Sequence, residues 1–194
     1  MNDLIIHSYS TSSAVVKTKF KEMFKEAFIK SERMSVFLMN LLSLKNDVVF
    51  NVITDTKDNV LGFYYVYSKD GILFLYYLAV AKEYRGNGVG YKILTSLETE
   101  FSLNSQSEFY VIAESVREGE EISNIKKRRC DFYTRFGFEL TDYIVCDKSG
   151  PYDLYKRSAI KDVDVKRIRK ILKRLNPLET CNIHKCRQCV TNTP

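Results

Sequence analysis

The chain has 194 residues, 45% of them hydrophobic, with 13 Tyr, 12 Phe and no Trp. That suffices for one domain with a substantial core plus an appendage, and no apolar run approaches the roughly 20 residues that span a bilayer. The formal charge of +6 is uneven: Lys156 to Pro194 hold 11 Lys/Arg against three acids (Asp162, Asp164, Glu179), a local +8 that leaves −2 for residues 1–155.

The opening stretch, MNDLIIHSYSTSS, has neither the basic start nor the long apolar core of a signal peptide. The expected compartment is therefore the cytoplasm, and the five cysteines are expected to be free or metal-bound rather than paired. Leu4 to Ser8 predict a short strand, and Thr11, Ser12 and Ser13 offer N-cap oxygens for a helix over about residues 14–29. Val16, Phe20, Met23, Phe24, Ala27 and Phe28 form its apolar face. Ser31 can cap a second helix, whose apolar set is Met34, Phe37, Leu38, Leu41 and Leu42. Both stripes read as core-packing surfaces.

Three strands follow, Val48 to Thr54, Val60 to Tyr67 and Ile72 to Val80, separated by hairpin-type turns. The third is apolar nearly throughout, as expected of a strand covered on both faces. Then comes Arg85-Gly86-Asn87-Gly88-Val89-Gly90, followed by a helical pattern on Val89, Ile93, Leu94, Leu97 and Phe101. Strand, glycine-rich turn and helix N-terminus in that order can cradle a phosphate, because the first helical N–H groups have no partners and the helix dipole favours an anion there. No Gly-Lys-Ser/Thr ends the loop, so it is not a P-loop, and it does not follow the first strand of a dinucleotide fold. An ordinary tight turn is the competing reading of this stretch taken alone.

Phe109 to Ala113 predict the next strand, ending in Glu114, and Ser115 to Ser123 a polar, acidic loop. A further helix carries Ile125, Arg129, Phe132, Tyr133 and Phe136 and stops at Gly137. Phe138 to Cys146 and Tyr152 to Arg157 are the last two strands of the body. This order predicts a mixed α/β sheet with helices on both faces.

Two motifs occupy telling places in that order. Arg85, Gly88 and Gly90 form Arg-x-x-Gly-x-Gly, and Phe132 to Phe138 read Phe-Tyr-x-x-x-Gly-Phe. Together they resemble the GNAT superfamily of acetyl-CoA-dependent N-acetyltransferases over about four fifths of the chain, residues 1–157. The resemblance implies a mixed, mostly antiparallel sheet of about seven strands flanked by about four helices. Residues 158–194 then form a separate C-terminal helix and Cys-rich tail. It implies acetyl-CoA as co-substrate, its pyrophosphate held by the N–H groups of Arg85, Gly86, Asn87, Gly88, Val89 and Gly90. It also implies a pantetheine arm paired with the backbone of Leu78, Ala79 and Val80, where ordinary sheet pairing is the alternative. Tyr133 is then the candidate general acid for the departing thiolate, against the alternative of a core tyrosine. Many family members carry an Asn one or two turns before that Tyr. Here Asn124 falls two residues too early, and the basic run Lys126 to Arg129 reads best as a solvated face, with a reach to the cofactor's phosphates as the alternative.

The general base is less determined. Glu114 ends its strand where open α/β sheets form their crevice, while the strand Ile72 to Val80 has no acid or histidine to offer. A water relay through Glu114, Tyr76 or Tyr77 would serve as well, and His7 reads as structural. The acceptor is an amine whose identity stays open; the acidic Glu118, Glu120 and Glu121 would suit a cationic one.

Lys161 to Leu175 predict an amphipathic helix with Val165, Ile168, Leu172 and Leu175 on one face and cations on most of the rest. It reads as lying on the domain with its charges in solvent, with nucleic acid, a membrane surface or an acidic partner as the lesser alternatives. Cys181, His184, Cys186 and Cys189 are zinc-ligand types, but they crowd into one short stretch without the usual loop between half-sites, so a disordered thiol-rich tail outweighs zinc. Cys130 and Cys146 read as packing residues. A weak acyl-CoA-binding module and a nucleic-acid-associated protein are the competing functions, and a homodimer is compatible with all three.

Overall fold

The computed structural model describes residues 4–115 and 124–185. The chain divides into two units, residues 1–103 and 104–194. The elements run in the predicted order and continue past it.

In the first unit, β1 (Ile5–Ser8), β2 (Val48–Thr54), β3 (Val60–Lys69) and β4 (Ile72–Val80) form an antiparallel sheet in sequence order. Lys69 pairs with Ile72, leaving Asp70 and Gly71 as a two-residue turn, both at positive φ, which matches the twist of the strands it joins. One face is covered by α1 (Ala14–Ala27), whose N-cap Ser13 accepts from Val16 N–H at 3.2 Å. Its Phe20 and Phe24 meet Phe63 of β3 edge-on. The opposite face carries α3 (Val89–Glu100), which buries Ile93, Leu94 and Leu97. Gly62 of β3 is required there: a Cβ would stand 2.6 Å from the Ala79 carbonyl oxygen and 3.1 Å from Ile93.

The second helix differs from expectation. α2 spans Val36–Leu42 with Ser35 at its N-cap, not a helix from Ser31, and Met34 is buried in the loop before it. The Tyr77 hydroxyl takes the Met34 N–H at 3.1 Å and donates to the Glu32 carbonyl at 2.5 Å, which holds this stretch out of a helical path. Phe37 and Leu41 are 76% and 48% exposed, so only part of the expected stripe packs on the core.

The second unit is also antiparallel, in the order β5 (Glu108–Glu114), β7 (Gly150–Arg157), β6 (Glu139–Asp147), β8 (Asn182–Lys185). α4 (Asn124–Arg135) packs on β5, and its end explains the second sequence motif. Gly137 takes φ +91°, Phe138 N–H reaches back to the Tyr133 carbonyl and Gly137 N–H to that of Thr134, closing the last turn. Phe138 is thereby turned into the core against Phe109 and Tyr133.

The basic C-terminal helix, α5 (Val165–Leu175), starts later than the pattern suggests because Asp164 caps it, accepting from Arg167 N–H at 3.0 Å. Ile168, Ile171, Leu172 and Leu175 are buried, while Lys166, Arg169, Lys170 and Lys173 are exposed. β8 is an addition: the segment NIHK pairs with β6 through Ile183 opposite Val145. Among the described residues, eight strands and five α-helices therefore stand where about seven and four, plus the tail helix, were expected. No helix among the described residues is long and apolar enough to cross a membrane.

Candidate active site

In the first unit the candidate residues gather at the C-terminal end of β4. The strand carries a bulge: Tyr77 pairs with Tyr65 and Leu75 with Val66, so Tyr76 is the extra residue. Bulges re-aim side chains and recur beside active sites. Leu78, Ala79 and Val80 pair with Tyr64, Phe63 and Gly62 of β3. A 3-10 turn at Lys82–Tyr84 then swings the chain into the glycine loop.

The loop is built from inside by Arg85. Its Nε donates to the Val80 carbonyl at 2.9 Å, and its backbone N–H is taken by the Lys82 carbonyl at 3.3 Å. Arg85 therefore shapes the loop and does not contribute its own N–H to a cradle. The N–H groups of Gly86, Asn87, Gly88, Val89 and Gly90 donate to no group among the described residues. Gly86 and Gly88 lie at φ +79° and +73°, and a Cβ on either would meet nothing within 4 Å. Gly88 is the N-cap of α3. Unpartnered donors, open space and a helix N-terminus coincide here, and an anionic group fits them.

In the second unit Glu114 and Tyr133 share a neighbour. Arg129 Nη1 donates to Glu114 Oε2 at 2.7 Å, and Lys126 Nζ stands 3.9 Å from Oε1. Lys126, Arg129 and Tyr133 follow i, i+3, i+7 spacing and so line one face of α4. The basic run expected to be solvated is thus divided: Lys127 and Arg128 are exposed, while Lys126 and Arg129 fix the carboxylate at the end of β5. That helical spacing was the available sequence signal for Arg129. Asn124 opens α4, and its side chain lies outside the described residues.

Tyr133 is 8% exposed, packed against Phe132, Phe138 and Tyr155. Its hydroxyl makes no hydrogen bond among the described residues. Burial pushes its pKa up to about 12, although the Arg129 guanidinium pulls the other way. The phenol is therefore a retained donor. Tyr77, by contrast, has its hydroxyl committed to Glu32 and Met34, and His7 Nε2 pairs with Thr54 Oγ1 at 3.0 Å.

Of the residues considered for a metal, Cys186 and Cys189 lie outside the described residues, as do Glu118, Glu120 and Glu121 of the acidic loop. Cys181 is half-buried, and its thiol is pushed up to about 11 by burial and by the negative charges of Asp147 and Glu179. Among the described residues, no three His, Cys, Asp or Glu side chains gather as for a metal ion.

Residues 46–140 match the family model of the acetyltransferase (GNAT) domain. The chain carries a GNAT acetyltransferase domain. The match runs from the start of β2 to the start of β6 and includes the glycine loop, Glu114 and Tyr133. The protein is an acyltransferase by that domain, of the class that transfers acetyl from an acyl-CoA. Among solved structures, a GNAT-family protein from Bacteroides thetaiotaomicron is 23% identical, with a TM-score of 0.65, covering 88% of this chain and 96% of its own. The aminoglycoside 6'-N-acetyltransferase from Enterococcus faecium is 16% identical, with a TM-score of 0.59, covering 82% and 99%. Arabidopsis thaliana Naa50, bound to the bisubstrate analogue CoA-Ac-MVNAL, is 17% identical, with a TM-score of 0.56, covering 80% and 98%. At these identities the likeness is one of fold. No curated protein matches the sequence significantly.

Proposed function

We propose that the protein is an acetyl-CoA-dependent N-acetyltransferase that passes the acetyl group directly to a primary amine, with residues 1–157 as its catalytic domain. The observation that carries this reading is the loop after β4, with five N–H groups from Gly86 to Gly90 unpartnered among the described residues and open space at Gly86 and Gly88. These donors would take the pyrophosphate, while Arg85 braces the loop. The backbone of Leu78, Ala79 and Val80 would pair with the pantetheine arm, and an N–H there would polarise the thioester oxygen. In the transfer, an N–C bond forms as the C–S bond breaks; the amine loses a proton and the thiolate gains a donor. Tyr133 is assigned to that donor role. With its pKa near 12, it offers a hydrogen bond to sulfur more readily than its proton. Glu114, held by Arg129 and Lys126, is assigned to receive the amine proton through water.

The test is calorimetric titration of acetyl-CoA into the native chain and into Gly88→Trp, followed by an amine screen on the native chain. Micromolar binding that the substitution abolishes in a folded protein, with acetylation of at least one amine class, is the expected result. A folded native chain that does not bind acetyl-CoA overturns the reading. Binding without transfer to any amine leaves an acyl-CoA-binding module in its place.

A further inference from the structure

Arg33 stands apart from the other cations of the first unit by a buried donor that has no partner among the described residues. The Nε–H of Arg33 is buried and makes no hydrogen bond, and no ion pair engages its guanidinium among the described residues. The residue as a whole is only half-buried. A buried donor left unsatisfied lowers folding stability, and a guanidinium presents a rigid fork of five donors. The unused donor is therefore a feature to account for.

The backbone on either side of Arg33 is pinned by a single hydroxyl. Tyr77 of β4 donates to the Glu32 carbonyl at 2.5 Å and accepts from the Met34 N–H at 3.1 Å. Its ring is itself fixed between Phe24 and Phe28 of the α1 end at 5.5 and 4.9 Å. The Ile29 N–H and the Glu32 carboxylate close the turn from the other side at 3.3 Å. The backbone at Arg33 is thus held against Tyr77 of β4, next to the Tyr76 bulge in that strand. The strand end that would hold the thioester arm, Leu78 to Val80, comes immediately after.

We propose that Arg33 is an oxyanion-binding residue for the acceptor, and that the acceptor is an amine that also carries a carboxylate. This rests on the N-acetyltransferase reading above. A guanidinium fork matches a carboxylate in a bidentate fashion, and the pairing gains strength where one donor is already shielded from water. The phosphates have their own donors in the loop from Gly86 onward, beyond the end of β4, so the anion that answers Arg33 comes from the acceptor side. An unpaired fixed cation also repels a polycation, which sets this acceptor class apart from aminoglycosides.

The test measures binding first and turnover second. CoA-saturated native protein is titrated calorimetrically with α-amino acids, ω-amino acids and dipeptides, each paired with its own carboxamide. Arg33→Gln and Arg33→Lys are run alongside, with CoA affinity measured separately for all three. The expected result is a preference of about tenfold or more for the free acids in the native protein. That preference is absent in Arg33→Gln and partly kept in Arg33→Lys, with CoA affinity unchanged. Equal or absent binding of acid and amide forms overturns the proposal. So does a loss of CoA affinity in Arg33→Gln, which would assign the guanidinium to a CoA phosphate. Carboxylate preference without acetyl transfer would sink the catalytic reading and leave this one standing; acetyl transfer without preference does the reverse.

Discussion

At the scale of single residues, the most informative is Tyr133, whose ring is buried and whose hydroxyl has no partner among the described residues. Its oxygen is not sealed from solvent, so the unpartnered hydroxyl is open to a ligand atom. Removing the oxygen with Tyr133→Phe keeps the ring contacts to Phe138 and Tyr155. We expect kcat to fall by about 100-fold, as when one transition-state donor is removed, with acetyl-CoA affinity within about twofold of native. Because burial raises the folded pKa from 10.0 to about 12, the phenol stays protonated through the assay range. The sign follows: its contribution to stability is complete below pH 10 and is lost as pH rises through 12. An alkaline limb in kcat near pH 9 that vanished in the Phe variant would contradict this. Tyr133 was legible in the sequence because the glycine four residues on fixes a helix end and so fixes its place. Arg129 was partly legible, through its spacing from Tyr133. Arg33 was not, since the backbone around it is held by a tyrosine hydroxyl arriving from a distant strand.

Among elements, α5 shows what a charge pattern can and cannot convey. Its apolar stripe predicted a docked face, and its cations predicted a solvated one. What actually ties the β7–α5 link down is a cluster no local pattern reveals. Lys156 of β7 is 5% exposed, pairs with Glu108 of β5 at 2.6 Å, reaches the Asp162 carbonyl at 2.5 Å and lies over the Tyr110 ring at 5.2 Å. Arg167 of α5 approaches the same carboxylate at 3.8 Å. Burial alone would raise the Glu108 pKa, but hydrogen bonds from Lys156 and Tyr110 outweigh it and hold the group below its ordinary 4.5. Its contribution to stability is thus present above that value and lost as pH falls through the folded one. Lys156→Met leaves the carboxylate buried without its ammonium and should cost about 3 kcal/mol in urea unfolding at pH 7. Burial then dominates Glu108, so protonation relieves the variant while it weakens the native chain. The gap between them should narrow below pH 4.5; a gap constant with pH would mean that only packing was lost. β8 escaped the sequence for a related reason. Four residues with one inward side chain, Ile183, carry too little periodicity, and only the edge of β6 gives them a strand to complete. The second helix was misplaced because Ser31 looks like a cap until Tyr77 claims the backbone around it.

For the whole molecule, any ligand that binds only the folded chain must raise its stability by an amount set by concentration and affinity. At acetyl-CoA concentrations of 100 Kd that amount is about 2.7 kcal/mol. For a chain of this length each kcal/mol moves the melting temperature by about 2 to 4 °C, so a rise of about 5 to 11 °C is expected. The same acetyl-CoA concentration should leave Gly88→Trp unmoved, because its side chain fills the space beside the Gly86 to Gly90 donors that the native loop keeps open. The unliganded variant tests the loop's own contribution. Gly88 sits at φ +73° with nothing within 4 Å, so the tryptophan pays backbone strain without a clash, about 1 to 2 kcal/mol. A baseline lowered by that much with no response to acetyl-CoA places the effect in the cradle. A full thermal response in Gly88→Trp would show that the cofactor is held elsewhere, and the assignment of Gly86 to Gly90 would fall with it.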